Sequence, residues 1–346
     1  MKREHKGLAL GTAAVVALLA VFRHRIHFDV HSFAHQMRGV SAWHVAAGIA
    51  AIYAAFWVRS VRWALLLRPQ KRVRAVEMLA PQLVGFTAVG LFGRLADLAR
   101  PYIIAKRTDT AVSAQVAVYT VERIFDLGAA ALVFSTATAL VHTGAALPHA
   151  EAIARIGRGS LAATVALGVF AVALRVMGER VARMAERVVG LASAKLGAAV
   201  AARVREFREG LNVVTGAGEF ALVAAYSVGM WGLSALAYVE SVHSFVRTPA
   251  LAAMTFAQVM VLMASSIAGS TLQLPVVGWF SQMAVVAAAL TGIFGVPVET
   301  AAACGAVQFF VCSLSVIPAG LLCAQMGHVS LKQVAVESSE AERSTL

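Results

Sequence analysis

The sequence predicts an all-α polytopic membrane protein with about seven to nine membrane segments, some of them re-entrant or broken. Three observations predict it. Mean hydropathy is +0.75 and 14% of residues are charged, against roughly 25% in soluble domains. The apolar residues gather in runs of about 20, the length of a helix that crosses hydrocarbon. The ten-residue alternation of a membrane barrel strand is missing from those runs.

Taken in order, Lys2, Arg3 and Lys6 precede an apolar run over 7–22. This reads as a first anchor helix and not a cleaved signal peptide. His24, His27, His31 and His35 then step by 3, 4 and 4 along one helical face. An interfacial amphipathic helix with Phe28 and Phe33 in lipid explains that spacing; a metal site or pH sensor is the other reading. Residues 1–40 therefore form an anchor and amphipathic segment, 41–326 the main transmembrane domain, and 327–346 a disordered polar tail. Within the main domain, helices are expected at 41–67, 75–93, 111–141, 160–177, 219–241, 250–273, 277–294 and 299–326.

Two stretches break the pattern of ordinary spans, near 75–105 and 265–294. Gly93 leads straight into a polar segment containing Pro101, and Pro275 separates two apolar runs with no charged loop. Non-helical backbone at membrane depth is tolerated where protein buries it, so both read as re-entrant or broken helices. One interrupted stretch falls in each half, at 85–101 and 267–282. Such pairs point to a transport site at the midplane.

Orientation follows from the bases. Arg59, Arg62, Arg68, Lys71, Arg72 and Arg74 form a block with no acid before Glu77, which places that block in the cytoplasm. Residues 178–210 mix Arg180, Arg183, Arg187, Lys195, Arg203, Arg205 and Arg208 with four glutamates, as a cytoplasmic amphipathic helix on the membrane surface would. Both chain ends then lie in the cytoplasm and the protein in the cell (inner) membrane. The 23–40 loop is external despite Arg23, Arg25 and Arg38. The net charge of +12 belongs to loops beside anionic headgroups, not to nucleic-acid binding.

Enzymatic chemistry finds little support. The chain has no G-x-S-x-G elbow, H-E-x-x-H helix or G-x-x-x-x-G-K phosphate loop. Cys304, Cys312 and Cys323 form no C-x-x-C pair and read as small apolar filler. No catalytic residue, metal or cofactor is expected. Asp97, Glu122 and Asp126 are capable of acid–base work, but no nucleophile or metal cage accompanies them.

The informative residues are charges within or beside membrane segments. Each costs at least about 2.5 kcal/mol at mid-bilayer on insertion scales, so they should pair, face water or meet a charged ligand. Gly93 can start a helix whose free N–H groups attract an anion. Arg94, Asp97 and Arg100 follow at three-residue steps, and Arg94 can pair with Asp97. Gly93, Arg94, Arg100 and Tyr102 thus form a candidate site for a lipid phosphate. A cytoplasmic juxtamembrane loop with snorkelling arginines explains the same segment. Downstream, Tyr119, Glu122, Arg123 and Asp126 share a helical patch with two acids and one base. Arg94 or Arg100 can balance it, giving with Asp97 a charged network that is costly unless complete. The second interrupted stretch is small, polar and uncharged: Ser270, Gln273 and Gln282, with Gln308 in the last helix. It reads as a second polar site or as a helix-packing surface.

At Arg62-Trp63-Ala-Leu-Leu-Leu67, Gly93-Arg94-Leu-Ala-Asp97-Leu-Ala-Arg100-Pro101-Tyr102 and Val121-Glu122-Arg123-Ile-Phe-Asp126 the chain resembles the lysylphosphatidylglycerol synthase transmembrane region, or flippase-like domain family. That family carries R-W-x-x-L-L, G-R-x-G-E-x-x-R-P and E-R-x-x-D segments in this order, and the resemblance covers roughly 40–326. The soluble aminoacyl-transferase domain of the full synthase has no counterpart in these residues. Three departures stand out. The family's G-E step is Ala96-Asp97 here. Its P-G-G-x-G-x-x-E pattern becomes Pro275-Val-Val-Gly278-Trp-Phe-Ser-Gln282. A basic residue of its last helix is Gln308. The two glutamines would neutralise both sides of an ion pair together.

The resemblance implies translocation of a phosphate-bearing lipid between leaflets, either a phospholipid or a polyprenyl- or hopanoid-linked lipid. Arg94 and Arg100 would meet the phosphate of this anionic membrane lipid. A non-transporting membrane partner that recruits or regulates a lipid- or glycan-modifying enzyme is the alternative, and a homo-oligomer is compatible with both.

Overall fold

The computed structural model describes residues 29–96, 99–139, 216–270 and 277–327, with shorter pieces at 151, 154–155, 157–166, 169, 180, 183–184, 186–188 and 193. The expected anchor at 7–22, His24, His27, Asp97, Gln273, Pro275, most of 178–210 and the tail beyond Gly327 lie outside these residues. Every described element is helical, and four helices are long and apolar enough to cross a membrane: 42–67, 75–92, 218–243 and 298–326. The helix at 112–139 is long enough, but it carries Glu122, Arg123 and Asp126.

Helix α1 (Val30–Arg38) starts at Asp29, whose carboxylate accepts from the His31 N–H at 2.8 Å and the Ser32 hydroxyl at 2.8 Å. These bonds satisfy orphan donors of the first turn. The Ser32 hydroxyl, then the His31 amide, hold the Asp29 carboxyl below its ordinary value. No residue of α1 is buried, as an interfacial helix requires. His31 and His35 both lie on it, and among the described residues no cluster of three His, Cys, Asp or Glu suits a metal.

Helix α2 (Ala42–Leu67) is 26 residues long. It runs antiparallel to α6 (Ala217–His243), with the Ser41 N–H bonded to the Ser244 carbonyl at one end and Arg62 bonded to Ser227 towards the other. Between them α3 (Ala75–Phe92) is capped by Gly93 at φ 71°, ψ −153°, a conformation that essentially only glycine adopts. After a 3₁₀ turn over Gly93–Ala96, α4 (Ala99–Thr108) folds back along α3. Gly85 makes the close approach: a Cβ there would lie 2.7 Å from the Arg100 Cβ. At the base of the hairpin, Lys71 donates to the Thr108 carbonyl at 2.6 Å. The interruption read at 75–105 is thus a hairpin whose two ends meet. Helix α5 (Val112–Ala139) then packs on α4, α2 and α6.

The expected single helix at 250–273 is two helices. A short α7 (Pro249–Ala252) precedes α8 (Phe256–Ser270). Thr255 and Gln258 exchange reciprocal bonds at the junction, N–H to Oε1 at 2.7 Å and N–H to Oγ1 at 3.4 Å. This Thr-x-x-Gln capping box starts a new helix and so ends the old one. Helix α9 (Val277–Phe294) returns along α8, and Gly269 again permits the approach, with Gln282 and Val285 against it. The expected helix at 299–326 is α10 (Val298–Phe309), a π turn over Phe310–Leu314, and α11 (Val316–Met326). Pro318 cannot bond the Leu314 carbonyl, and the Ser315 N–H reaches back to Phe310 at 2.8 Å. The Ser315 carbonyl accepts from the Tyr53 hydroxyl at 3.0 Å.

The two hairpins open at opposite ends of the molecule. The first opens beside Lys71 and Thr108. The second opens at the end where Ser41 meets Ser244, where Thr248 bonds Gln36 and where Asp29 bonds Glu299. Their tips meet inside: the Trp279 indole N–H donates to the Gly90 carbonyl at 2.8 Å.

Candidate functional site

Helices α2, α3, α4, α5 and α6 converge on a cluster of charges. Glu122 and Asp126 lie one turn apart on α5, so both face the same neighbours. Arg62 of α2 reaches between them. Its Nη2 donates to Glu122 at 2.6 Å, and its Nη1 donates to Asp126 and to the Ser227 hydroxyl, each at 2.6 Å. Arg62 and Glu122 are both 0% exposed. Arg59, one turn earlier, lies 3.4 Å from Glu122 and 3.7 Å from Asp126. Arg100 of α4 comes from the hairpin, 3.0 Å from Glu122 and 3.1 Å from the Gln82 amide oxygen. Arg123 lies 3.1 Å from Asp126 and 3.5 Å from Glu122.

Aromatic rings wall the cluster. The Arg100 guanidinium sits 4.9 Å from the Tyr119 ring, 5.1 Å from Trp63 and 5.3 Å from Phe86. Arg59 shares the Phe86 face, and Arg123 that of Tyr119. Weakly hydrated guanidinium groups suit such rings, and the contacts offset part of the cost of burial. Trp63 is fixed in turn by its N–H to Gln115 at 3.2 Å.

Four guanidinium groups therefore surround two carboxylates among the described residues. Over these six described side chains alone the charge sums to +2, and Asp97 lies outside the described residues. Its polar atoms without a hydrogen bond include two buried donors, the Gln82 amide nitrogen and the Arg62 Nε. Buried guanidinium groups with open donors beside them attract an anion, and their planar shape matches a phosphate.

Of the residues read from sequence, Arg100, Glu122, Arg123 and Asp126 meet here as expected. The balancing base is Arg100, with Arg59 and Arg62. Arg62 is a correction: the sequence places it in a cytoplasmic basic block, yet it is the most deeply buried arginine of the cluster. The signal was local, since Arg62 lies five residues inside the end of an apolar helix and precedes Trp63. The two added arginines also reverse the sign of the patch, from the net acid read at 119–126 to net base. Gly93 shapes the hairpin turn, and Arg94 follows it in the 3₁₀ segment. Tyr102 packs elsewhere, with Val84, Ala88 and Ile103, under Lys106 at 4.8 Å.

In the second half, Gln282 donates to the Ser266 hydroxyl at 2.7 Å, and the Tyr238 hydroxyl shares that oxygen at 2.9 Å. Ser270 ends α8 at the hairpin tip. Gln308 is 2% exposed, and neither its amide oxygen nor its nitrogen is hydrogen-bonded. The two glutamines do not bond each other: Gln282 bonds Ser266, and the Gln308 amide bonds nothing among the described residues.

One family's sequence model, described as Lysylphosphatidylglycerol synthase TM region, matches residues 7–320. No curated protein matches the chain.

Proposed function

The chain belongs to the lysylphosphatidylglycerol synthase TM region family, and from that premise we propose that it carries an anionic, phosphate-bearing lipid between leaflets. One observation carries the reading: the guanidinium groups of Arg59, Arg62 and Arg100 lie buried together around Glu122 and Asp126, with Arg123 half-exposed at the edge and the Arg62 Nε and the Gln82 amide nitrogen open beside them. Buried guanidinium groups with open donors beside them are the resting state of a site that takes an anion.

In this reading the acids hold the arginines in place while the site is empty. The phosphate then takes over Arg100 and Arg123 as it enters, and the acyl or prenyl tails stay in lipid. The hairpin at 75–108 re-enters the membrane from the cytoplasm, where Lys71, Arg72 and Arg74 favour anionic headgroups. The second hairpin re-enters from the opposite side. Both chain ends are cytoplasmic, and the membrane is the inner membrane of a bacterial cell. No covalent step is assigned to the chain. Lipid movement runs downhill or on an ion gradient.

The test places the purified full chain in liposomes with trace fluorescent phosphatidylglycerol in both leaflets and adds an impermeant reductant outside. Bleaching well beyond half the label is expected. Arg100→Gln and Arg123→Gln should each slow the second phase about tenfold or more. A plateau at half, as in empty liposomes, overturns the reading. So does equal movement of a phosphate-free glycolipid.

A further inference from the structure

We infer that the second half holds a separate subsite, built from Tyr238, Ser266, Gln282 and Gln308, that binds the uncharged hydroxyl-bearing part of a phosphate lipid's headgroup. The inference rests on the transport reading above and deepens it. It selects lipids whose head beyond the phosphate is a polyol or sugar, and disfavours heads that carry a cationic amine.

Gln308 is the first support. A buried side-chain amide offers two donors and one acceptor, and buried polar groups are otherwise almost always bonded. Both Gln308 atoms lack a hydrogen-bond partner in a residue that is 2% exposed. An orphan with both donor and acceptor capacity matches a hydroxyl, which also gives and takes. It matches neither a phosphate, which only accepts, nor an ammonium, which only donates.

Helical register supplies the second support. One turn before Gln308, Gly305 abuts Met283, where a Cβ would lie 3.0 Å from the Met283 carbonyl oxygen. Met283 follows Gln282 in the chain. The residue after Gln308, Phe309, packs its ring 5.5 Å from Trp279 at the hairpin tip. In this antiparallel register Gln308 falls opposite residue 280, within one turn of Gln282, whose amide donates to the Ser266 hydroxyl that Tyr238 shares. None of these four side chains carries charge.

The third support is a connection to the arginines. On α6, Ser227, Trp231, Ser234 and Tyr238 step by 4, 3 and 4, so they line one face. Ser227 is bonded to Arg62. The Trp231 indole N–H is buried without a hydrogen-bond partner. Tyr238 belongs to the neutral subsite, about 16 Å farther along the axis at 1.5 Å per residue. A polar stripe thus runs from the anion cluster to the second-half hairpin. A hydroxyl-bearing head would meet the neutral subsite along this stripe after leaving the arginines.

The experiment compares fluorescent phosphatidylinositol, whose head is a polyol, with fluorescent phosphatidylethanolamine, whose head is an amine, in the liposome assay. Movement of the inositol lipid is expected to be at least about tenfold faster. Gln308→Leu should bring that ratio close to one by slowing the inositol lipid, while the melting temperature in detergent holds or rises because an orphan amide has gone. Equal rates for both lipids in the unmodified protein overturn the subsite and leave the transport reading standing. A melting temperature lowered by Gln308→Leu also overturns it, since Gln308 would then serve the fold. If neither lipid moves, the transport reading fails and the subsite falls with it.

Discussion

Arg62 has no solvent to fall back on. Its guanidinium bonds Glu122, Asp126 and Ser227 at 2.6 Å each, so its removal takes the shortest bond from each of two buried acids. Arg62→Met is expected to cost about 3–5 kcal/mol, visible as a large drop in detergent melting temperature. Adding Glu122→Gln and Asp126→Asn to Arg62→Met should deepen that loss, because Arg59, Arg100 and Arg123 then keep no acid partner among the described residues. Arg100 behaves differently. It has one carboxylate partner, one amide partner and three aromatic rings around it. Arg100→Gln should therefore spare the fold more than Arg62→Met while losing more lipid movement than any change at Arg123. A melting curve and a bleaching trace on the same preparations separate the two roles. The sequence marks Glu122, Arg123 and Asp126 through their spacing alone. It hides Arg62 among loop-like bases, because the depth of a residue near a helix end is set by its neighbours.

Each hairpin depends on a glycine contact. Gly85→Ala would set a Cβ 2.7 Å from the Arg100 Cβ and 3.1 Å from its Cα, and backbone cannot yield as a side-chain tip can. Overpacking of this kind costs about 1–3 kcal/mol. The expected result is a lower melting temperature and slowed lipid movement, since the arginine is displaced. Gly229→Ala is the control: nothing lies within 4 Å of its added Cβ, and alanine favours a helix by up to about 1 kcal/mol. Gly320 is tighter still, against Thr87 and the Leu83 carbonyl, and should tolerate alanine least. At the N-terminal cap, pH gives a different test. The Asp29 carboxyl is held below its ordinary value by Ser32 and His31. Its capping contribution is therefore present above the normal carboxylate range and lost as pH falls through the lowered value. Amide exchange at His31 and Ser32 should stay slow at pH 5 and quicken only in strong acid. In Asp29→Ala it should be fast at every pH.

At the scale of the whole molecule, the two opposed hairpins touch, among the described residues, through the bond of Trp279 to Gly90 at 2.8 Å. If the halves move against each other in transport, this contact closes the path at rest. Trp279→Phe keeps a ring against Phe309 and removes the donor, and lipid movement is expected to rise severalfold. A slower rate would mean that the bond belongs to the moving state instead.

What the sequence determined by itself is the helical membrane class, the two interrupted stretches and the charged face of the helix at 112–139. Each depends on local quantities: run length, glycine and proline positions, and side chains three or four residues apart. The Thr255–Gln258 capping box was equally local, and its signature lies open in the chain. Only the tertiary structure decided that the hairpins open at opposite ends and meet at their tips. It alone decided that Arg59 and Arg62 turn an acidic patch basic, and that Gln308 is left without a partner. Those outcomes join residues up to 270 positions apart. Burial and charge balance are sums over neighbours that the chain order does not show.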